Sequence, residues 1–264
     1  MARMDRAFGR EAFGGDAAGY DAARPGYPEA VFELLSERCG LVPEAAVFEV
    51  GPGTGVATRP LLERGAKPLV AVEPDGRMAQ FLRRRIPDPA LQIVVAPFET
   101  ADLGRADFDL GLSATAFHWL DEDVALPKVA ALLRPGGWWA MMWNVFGFPG
   151  AADPFHEATK SMMKAGPRGV SPGVGDVWYP LDATARLAAL ARTGAFEAAE
   201  HRVIRWPLIL DADQVVALYA SFSVVIARAD RDEVLAKLGR IARDEFGGRV
   251  TRNMTTSLYI ARRV

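Results

Sequence analysis

The chain is 264 residues long and half of them are hydrophobic, which is enough to bury a full core in one α/β domain with insertions. Its 31 basic and 33 acidic residues leave a formal charge of −2. This balance argues against a nucleic-acid or anionic-membrane partner, because phosphate binding needs a concentrated basic surface. Cys39 is the only cysteine, so an intrachain disulfide is excluded and a cysteine-based zinc site is disfavoured.

The first half of the chain alternates strand-like and helix-like segments. Val31, Leu34 and Leu35 lie on one stripe and predict a helix over residues 26–38. Apolar runs predict strands at 45–50, 69–73, 91–95, 107–113 and 138–143, with helices between them at 56–64, 75–85 and within 122–133. Strands that alternate with helices through short connections indicate a parallel sheet with helices on both faces.

Beyond residue 144 this alternation becomes irregular. Helices are predicted at 153–164, 182–195, 211–228 and 230–245, and strands at 201–206 and 255–262. The Gly/Pro-rich segment 166–180 is interpreted as a lid, since long loops of this kind in compact domains are often functional. The predicted fold is a doubly wound, Rossmann-like α/β sheet of seven strands, with an N-terminal cap and helical insertions.

A glycine-rich turn, VFEVGPGTG at 47–55, follows the first predicted strand. Three glycines in this turn remove the Cβ atoms that would block a close ligand, and the free N–H groups of the next helix face it. Glu73 ends the second predicted strand, where a carboxylate can accept two hydrogen bonds from a ribose diol. The combination predicts an adenosine site at the carboxyl edge of the sheet.

The spacing of the glycines distinguishes between two adenosine ligands. A dinucleotide loop requires a third small residue at the position of Val56, which does not fit. Glu49 would repel a pyrophosphate but could pair with an ammonium group. The pattern therefore favours S-adenosylmethionine over NAD. A nicotinamide-dependent oxidoreductase on a related fold, and a catalytically silent binding protein, remain as alternatives.

Four segments within residues 8–143 together resemble one family. VFEVGPGTG and VAVEPDGRM resemble motifs I and II of class I S-adenosylmethionine-dependent methyltransferases. SATAFHWLDED, with the later VAALLRPGGWWAMMW, and the upstream AGYDAARPGYP are similar to segments of the type-11 and trans-aconitate-methyltransferase-like groups. The resemblance implies an enzyme that transfers a methyl group to oxygen, nitrogen or carbon of a small molecule, without a metal.

The same resemblance implies the cofactor contacts and the organisation of the chain. It implies that the methionine and ribose part is lined by Glu49, Gly51, Gly53 and Gly55, and that the ribose is held by Glu73. The adenine would lie near Pro74, Met78, Phe98 and Glu99, and the sulfonium beside Ser113 and Ala114. Tyr20 and Arg24 would reach the cofactor from the cap. One domain, 1–264, would comprise a cap at 1–40, a cofactor-binding core at 41–143, a substrate-side insertion and lid at 144–200, and the last two strands with a helical insertion at 201–264.

His118, five residues beyond the end of the fourth predicted strand, is the candidate general base for an acceptor that must lose a proton. The alternative is a structural residue packed beside Trp119. The three histidines are too far apart in sequence to suggest a metal site. The charged N-terminus lacks a signal-peptide core, and the longest near-apolar stretch, 136–148, is too short to span a bilayer. We therefore expect a cytoplasmic monomer or homodimer that binds neither nucleic acid nor membrane.

Overall fold

The computed structural model describes residues 8, 12–105, 107–147, 152–164 and 177–264. The strands are β1 (Val47–Val50), β2 (Leu69–Val72), β3 (Leu91–Val94), β4 (Phe108–Ala114), β5 (Leu133–Phe146), β6 (Phe196–Asp211) and β7 (Arg249–Arg263). The α-helices are Ala17–Ala23, Glu29–Arg38, Thr58–Glu63, Gly76–Arg85, Glu122–Leu132, Pro154–Lys164, Ala183–Arg192, Ala212–Ala220, Ser223–Ile226 and Arg231–Asp244.

All seven strands form one sheet in the order β3-β2-β1-β4-β5-β7-β6. The first five strands run parallel to one another, whereas β7 runs antiparallel to both β5 and β6. The order reverses between β1 and β4, and ligands of open α/β sheets bind at such a switch point, beyond the carboxyl ends of the strands. The predicted seven-stranded, Rossmann-like fold is confirmed.

The sheet has a hydrophobic core on each face. Because successive side chains of a strand point to opposite faces, Phe48 and Val50 of β1 enter one core while Val47 enters the other. The first core lies under helices Glu122–Leu132 and Ala183–Arg192, and the second lies under Glu29–Arg38 and Thr58–Glu63. The short strands of the switch point are therefore held rigidly between two helical layers.

Aspartates at helix starts help to set where the chain enters each helix. The side chains of Asp75, Asp121, Asp182 and Asp211 each accept a hydrogen bond from a backbone N–H in the first turn of the helix that follows. Such caps satisfy N–H groups that have no partner within the helix. Asp75 caps the helix that runs along the edge of the glycine turn, so this cap also positions part of the site.

A third core holds the helices inserted after β5 and after β6. It centres on Phe155, Leu218 and Leu238. Beside it, the guanidinium of Arg252 on β7 meets the carboxylate of Asp153, with Nε 3.1 and 3.0 Å from the two oxygens and side chains only 1% and 2% exposed. Arg252 Nη1 also donates to the Tyr219 hydroxyl at 2.6 Å. This buried ion pair joins the segment after β5 to the last strand.

The second half of the chain differs in its boundaries from the sequence-based expectation. Strands β5, β6 and β7 extend well beyond the predicted 138–143, 201–206 and 255–262. The predicted helix 211–228 is two helices, Ala212–Ala220 and Ser223–Ile226. The proposed lid, 166–180, lies mostly outside the described residues, and its end forms a short turn at Tyr179–Leu181. Among the helices described, none has the length and apolar character needed to cross a membrane.

Candidate functional site

A cleft lies at the carboxyl ends of the parallel strands, beneath the N-terminal cap. It encloses about 1150 Å³, including its mouth to solvent. Residues from the cap, from the glycine turn and from the ends of β2, β4 and β5 line it. Of the residues predicted from sequence, the lining includes Tyr20, Arg24, Gly51, Gly53, Glu73, Pro74, Met78, Phe98, Glu99 and Ala114, but not Glu49, Gly55, Ser113 or His118.

The glycine turn forms the floor of this cleft, and its glycines have different functions. Gly51 has a φ of +68°, and a Cβ built there would lie 2.5 Å from the Cβ of Ala116. Gly55, with a φ of +93°, instead faces the neighbouring helix, where a Cβ would lie 2.6 Å from Leu82 Cδ1. Gly51 therefore lets the end of β4 approach the turn, while Gly55 permits close packing behind it.

Glu73 stands at the end of β2, with its side chain directed at the turn. Its Oε2 accepts a hydrogen bond from the backbone N–H of Gly53 at 3.0 Å, and its Oε1 accepts one from the N–H of Asp75, also at 3.0 Å. The residue is 6% exposed, and burial raises the pKa of its carboxyl to about 7 although both hydrogen bonds favour the ionised form. Each oxygen retains a lone pair for a ligand.

Glu49 and Ser113 lie behind the lining of the cleft. Glu49 is fully buried on β1, and its Oε2 accepts a hydrogen bond from the Thr58 hydroxyl at 2.6 Å. Its Oε1 has no hydrogen-bond partner, and burial raises the pKa of the carboxyl to about 7. The Ser113 hydroxyl donates to the carbonyl oxygen of Val50 at 3.0 Å, which ties the end of β4 to that of β1. An unpaired buried carboxylate oxygen beside the glycine turn suits a donor on a ligand.

The far side of the cleft beyond β2 can accept a flat, apolar group. Met78 lies in the helix capped by Asp75, and Phe98 is buried with its ring stacked 6.2 Å from that of Phe48. Pro74 and Glu99 complete this wall. Apolar side chains with a carboxylate beside them are suited to the two faces and the amino edge of an adenine.

The cap closes the other side with aromatic rings and one cation. The Arg24 guanidinium lies 4.8 Å from the centre of the Tyr20 ring and 5.1 Å from that of Phe222. Its Nη2 donates to the carbonyl oxygen of Ser221 at 2.8 Å, while the buried Nε has no hydrogen-bond partner. No described carboxylate forms an ion pair with Arg24, so the cation is available to an anionic group of a ligand.

His118 does not line the cleft and its geometry favours the structural alternative. The indole N–H of Trp143 donates to its Nδ1 at 3.1 Å, and its ring lies 5.1 Å from that of Trp119. Burial, together with the charge of nearby Arg24, lowers the pKa of the imidazole to about 4, so the ring is neutral at pH 7. Since Nδ1 accepts from Trp143, the proton of the neutral ring sits on Nε2. In this tautomer Nε2 is a donor, an arrangement that favours a structural role over that of a general base.

The lining also contains polar residues that the sequence analysis did not identify as contacts. Among them are Tyr27, Thr115 and Asn144, contributed by the cap and by the ends of β4 and β5. The Tyr27 hydroxyl lies 2.6 Å from that of Thr115, and Asn144 Nδ2 donates to the carbonyl oxygen of Gly26 at 3.0 Å. These contacts join segments that are far apart in sequence, so spacing alone contained no signal for them.

Comparisons with known proteins match the central part of the chain. Residues 48–141 match the family described as methyltransferase domain. An uncharacterised methyltransferase of Mycobacterium tuberculosis is 37% identical over 134 residues, which is 50% of this chain and 51% of the relative. The chain therefore spans about half the length of the curated relatives that it matches.

Two solved structures share the fold. A protein of Anaeromyxobacter dehalogenans described as a type II methyltransferase superposes with a TM-score of 0.63 at 22% identity, over 90% of this chain and 97% of that one. The phosphoethanolamine N-methyltransferase 2 of Haemonchus contortus, solved with S-adenosyl-L-methionine, gives 0.58 at 13% identity, over 94% of this chain and 57% of that one. At these identities the likeness concerns architecture.

Proposed function

We propose that this chain is a class I S-adenosylmethionine-dependent methyltransferase that transfers a methyl group from S-adenosylmethionine to a small-molecule acceptor, because residues 48–141 match a methyltransferase domain and the relatives it matches are named methyltransferases. The observation that carries the proposal is the Glu73 carboxylate, held by the N–H groups of Gly53 and Asp75 beside the glycine turn. A carboxylate fixed in this way is suited to both hydroxyls of a ribose. The absence of a third small residue, with Val56 on the cleft wall, argues against a dinucleotide.

The residues present fit this cofactor at each of its parts. Met78, Phe98, Pro74 and Glu99 would hold the adenine, and Glu73 the ribose. The unpartnered Oε1 of Glu49 matches an ammonium group, and Arg24, with its free Nε, matches the carboxylate of the methionine part. Gly51 and Gly53 leave room for the cofactor over the turn, with Ala114 beside the sulfonium, while Gly55 and Ser113 support the wall from behind.

When bound, the cofactor would supply a methyl group on a positively charged sulfur: an acceptor lone pair bonds to the methyl carbon, the carbon–sulfur electron pair stays on sulfur, and any proton that the methylated acceptor must lose is released to bulk solvent when the product leaves. The chain's own contribution is to hold both reactants in line and to exclude water, since positioning alone can supply several kcal/mol, up to about 7–11 in favourable cases. His118, with a donor at Nε2, is not needed as a base in this scheme.

A small acceptor fits the remaining part of the cleft better than a macromolecule. The cap and the end of β5 contribute Phe13, Tyr27, Asn144 and Phe146 to its lining. A concave site of aromatic side chains with few polar groups is typical of small-molecule sites. We propose that the cap and the 144–200 insertion build the acceptor pocket, and that the acceptor receives the methyl group on oxygen, nitrogen or carbon.

Thermal stability with S-adenosylhomocysteine tests the cofactor assignment. At about 100 times its dissociation constant, a ligand of the native state adds about 2.7 kcal/mol to the free energy of unfolding. At about 2–4 °C per kcal/mol, the melting temperature should rise by several degrees. NAD at the same concentration should leave it unchanged. A rise with NAD alone would assign the site to the oxidoreductase alternative, and no rise with either ligand would refute the proposal.

Binding of S-adenosylhomocysteine should strengthen as the pH rises. Burial raises the pKa of both Glu49 and Glu73 from 4.5 to about 7, whereas ribose hydroxyls and an ammonium group require ionised carboxylates. If Glu73 alone must ionise, affinity falls about tenfold for each pH unit below 7, because only the ionised fraction is competent. Isothermal titration from about pH 6 to about pH 8 measures this.

The same pKa shifts determine the sign of the effect on the ligand-free protein. Between 4.5 and about 7 the folded state holds more protons than the unfolded chain, so the free energy of unfolding falls as the pH rises. In Glu73→Gln, the pH dependence of ligand affinity and that of the free energy of unfolding should both decrease, and only the contribution of Glu49 should remain. An affinity that stays constant across the interval would show that neither carboxylate meets the ligand.

A further inference from the structure

Thr115, the first residue after β4, has an unusual backbone conformation. Its φ is +56°, a left-handed value that is strained for a β-branched side chain. Its N–H donates to the carbonyl oxygen of Met142 on β5 at 2.7 Å, which helps to hold this conformation. The result is a threonine hydroxyl fixed at the cleft wall. Strain of this kind persists where the surrounding structure imposes it, often at functional sites.

The Thr115 hydroxyl is paired with that of Tyr27. Their oxygens are 2.6 Å apart, and either group can donate. Whichever one donates, one hydroxyl hydrogen and several lone pairs remain available to a ligand. Burial raises the pKa of the Tyr27 phenol far above its ordinary value, so it stays neutral and serves as a hydrogen-bonding group.

Tyr27 is held in place independently of Thr115. The carbonyl oxygen of the preceding residue, Gly26, accepts a hydrogen bond from Asn144 Nδ2 at 3.0 Å. Asn144 Oδ1 in turn accepts one from the Thr256 hydroxyl at 2.7 Å, which fixes the orientation of the amide. The hydroxyl pair is therefore anchored to the ends of β4 and β5 and to β7.

The sheet order indicates which part of the bound cofactor this pair would meet. Adenine and ribose are assigned to the ends of β3 and β2, and the glycine turn follows at β1. β4 is the next strand in the sheet after β1. Its end packs closely against the glycine turn, because a Cβ on Gly51 would clash with Ala116. In the cofactor, the sulfonium lies between the ribose and the amino acid. On this assignment it would lie at the end of β4, where Thr115 and Tyr27 line the cleft.

We propose that the Tyr27–Thr115 hydroxyl pair marks the point of methyl transfer, with its oxygens contacting the methyl group on the sulfonium and orienting the acceptor nucleophile. A methyl group on a positively charged sulfur has polarised C–H bonds, and hydroxyl oxygens stabilise it by C–H···O contacts. Both are positioning residues, and this assignment rests on the proposed function. It predicts that the pair discriminates S-adenosylmethionine from S-adenosylhomocysteine, which lacks the methyl group and the charge.

The test compares the affinities of these two ligands by isothermal titration. Thr115→Val removes one hydroxyl at almost constant volume, and Tyr27→Phe removes the other. Each should weaken S-adenosylmethionine relative to S-adenosylhomocysteine by about two- to fivefold, the effect of losing one C–H···O contact. Thr115→Ser keeps the hydroxyl and should retain the wild-type ratio.

Thr159→Val is the matched control, because it removes a buried hydroxyl that donates to Phe155 at 2.7 Å and lies away from the cleft. Its affinity ratio should stay at the wild-type value. An unchanged ratio in both Thr115→Val and Tyr27→Phe, or an equal weakening of both ligands, would overturn the inference and leave the pair a structural contact. If Thr115→Val does not fold, Tyr27→Phe decides. Failure of the wild-type protein to bind either ligand would instead refute the proposed function, and this assignment with it.

Discussion

Replacing Glu73 by alanine should weaken the binding of S-adenosylhomocysteine by at least about 100-fold. Two ribose hydroxyls would lose hydrogen bonds to a carboxylate, each contributing about 1.5–3 kcal/mol, and 1.4 kcal/mol corresponds to a factor of ten. The substitution also leaves the N–H groups of Gly53 and Asp75 without their acceptor, so the turn itself loses its anchor. Isothermal titration measures the affinity directly.

Glu63→Ala is the control for this substitution, because Glu63 is an exposed glutamate at the end of helix Thr58–Glu63 and does not line the cleft. It should bind the ligand as the wild-type protein does. A melting curve confirms that Glu73→Ala remains folded. Wild-type affinity in a folded Glu73→Ala protein would exclude the ribose assignment.

Replacing Arg252 by alanine should lower the free energy of unfolding by about 3–5 kcal/mol. Arg252 and Asp153 are almost fully buried, and removing the guanidinium leaves an uncompensated carboxylate in the interior. The loss is a large part of the 5–15 kcal/mol typical of a folded protein, and it corresponds to a fall in melting temperature of about 6–20 °C. Chemical denaturation and calorimetry measure it.

The exposed pair of Arg262 and Glu197 provides the comparison, with side chains 49% and 52% exposed and an N–O distance of 3.3 Å. Arg262→Ala should change the free energy of unfolding by no more than about 1 kcal/mol. In a double-mutant cycle, Asp153→Ala should add little to Arg252→Ala, since both remove one interaction. Equal effects of Arg252→Ala and Arg262→Ala would show that burial does not strengthen the Asp153 pair.

The half of the chain that forms the switch point was predictable from sequence because its signals are local. Apolar runs identify β1 and β2, and the glycines after β1 identify the turn. Glu73 is then recognised by its place at the end of β2. The later strands were underestimated for a physical reason. On β6, exposed and partly buried residues alternate, so the strand lacks a continuous apolar run. Pro207 lies within it, which an edge strand tolerates.

The acceptor side of the cleft was not predictable in the same way. Tyr27 and Thr115 are 88 positions apart, and Asn144 reaches Gly26 across 118. Only the sheet topology brings these residues together, and a single sequence contains no record of such a contact. The left-handed backbone of Thr115 could not be predicted from sequence either. Threonine is uncommon in that conformation, so the residue type gives no indication of it.

The position of the last strand determines how the cleft is assembled during synthesis. β7, at Arg249–Arg263, covers the edge of β5 that would otherwise be left unpaired, and Arg24 in the cap is bonded to Ser221, 197 positions later. Neither contact can form while only residues 1–141 have left the ribosome. We therefore expect that the segment 48–141 does not fold on its own: an excised fragment would expose the β5 edge to aggregation, and under the proposed function cofactor binding would require the whole chain to be folded.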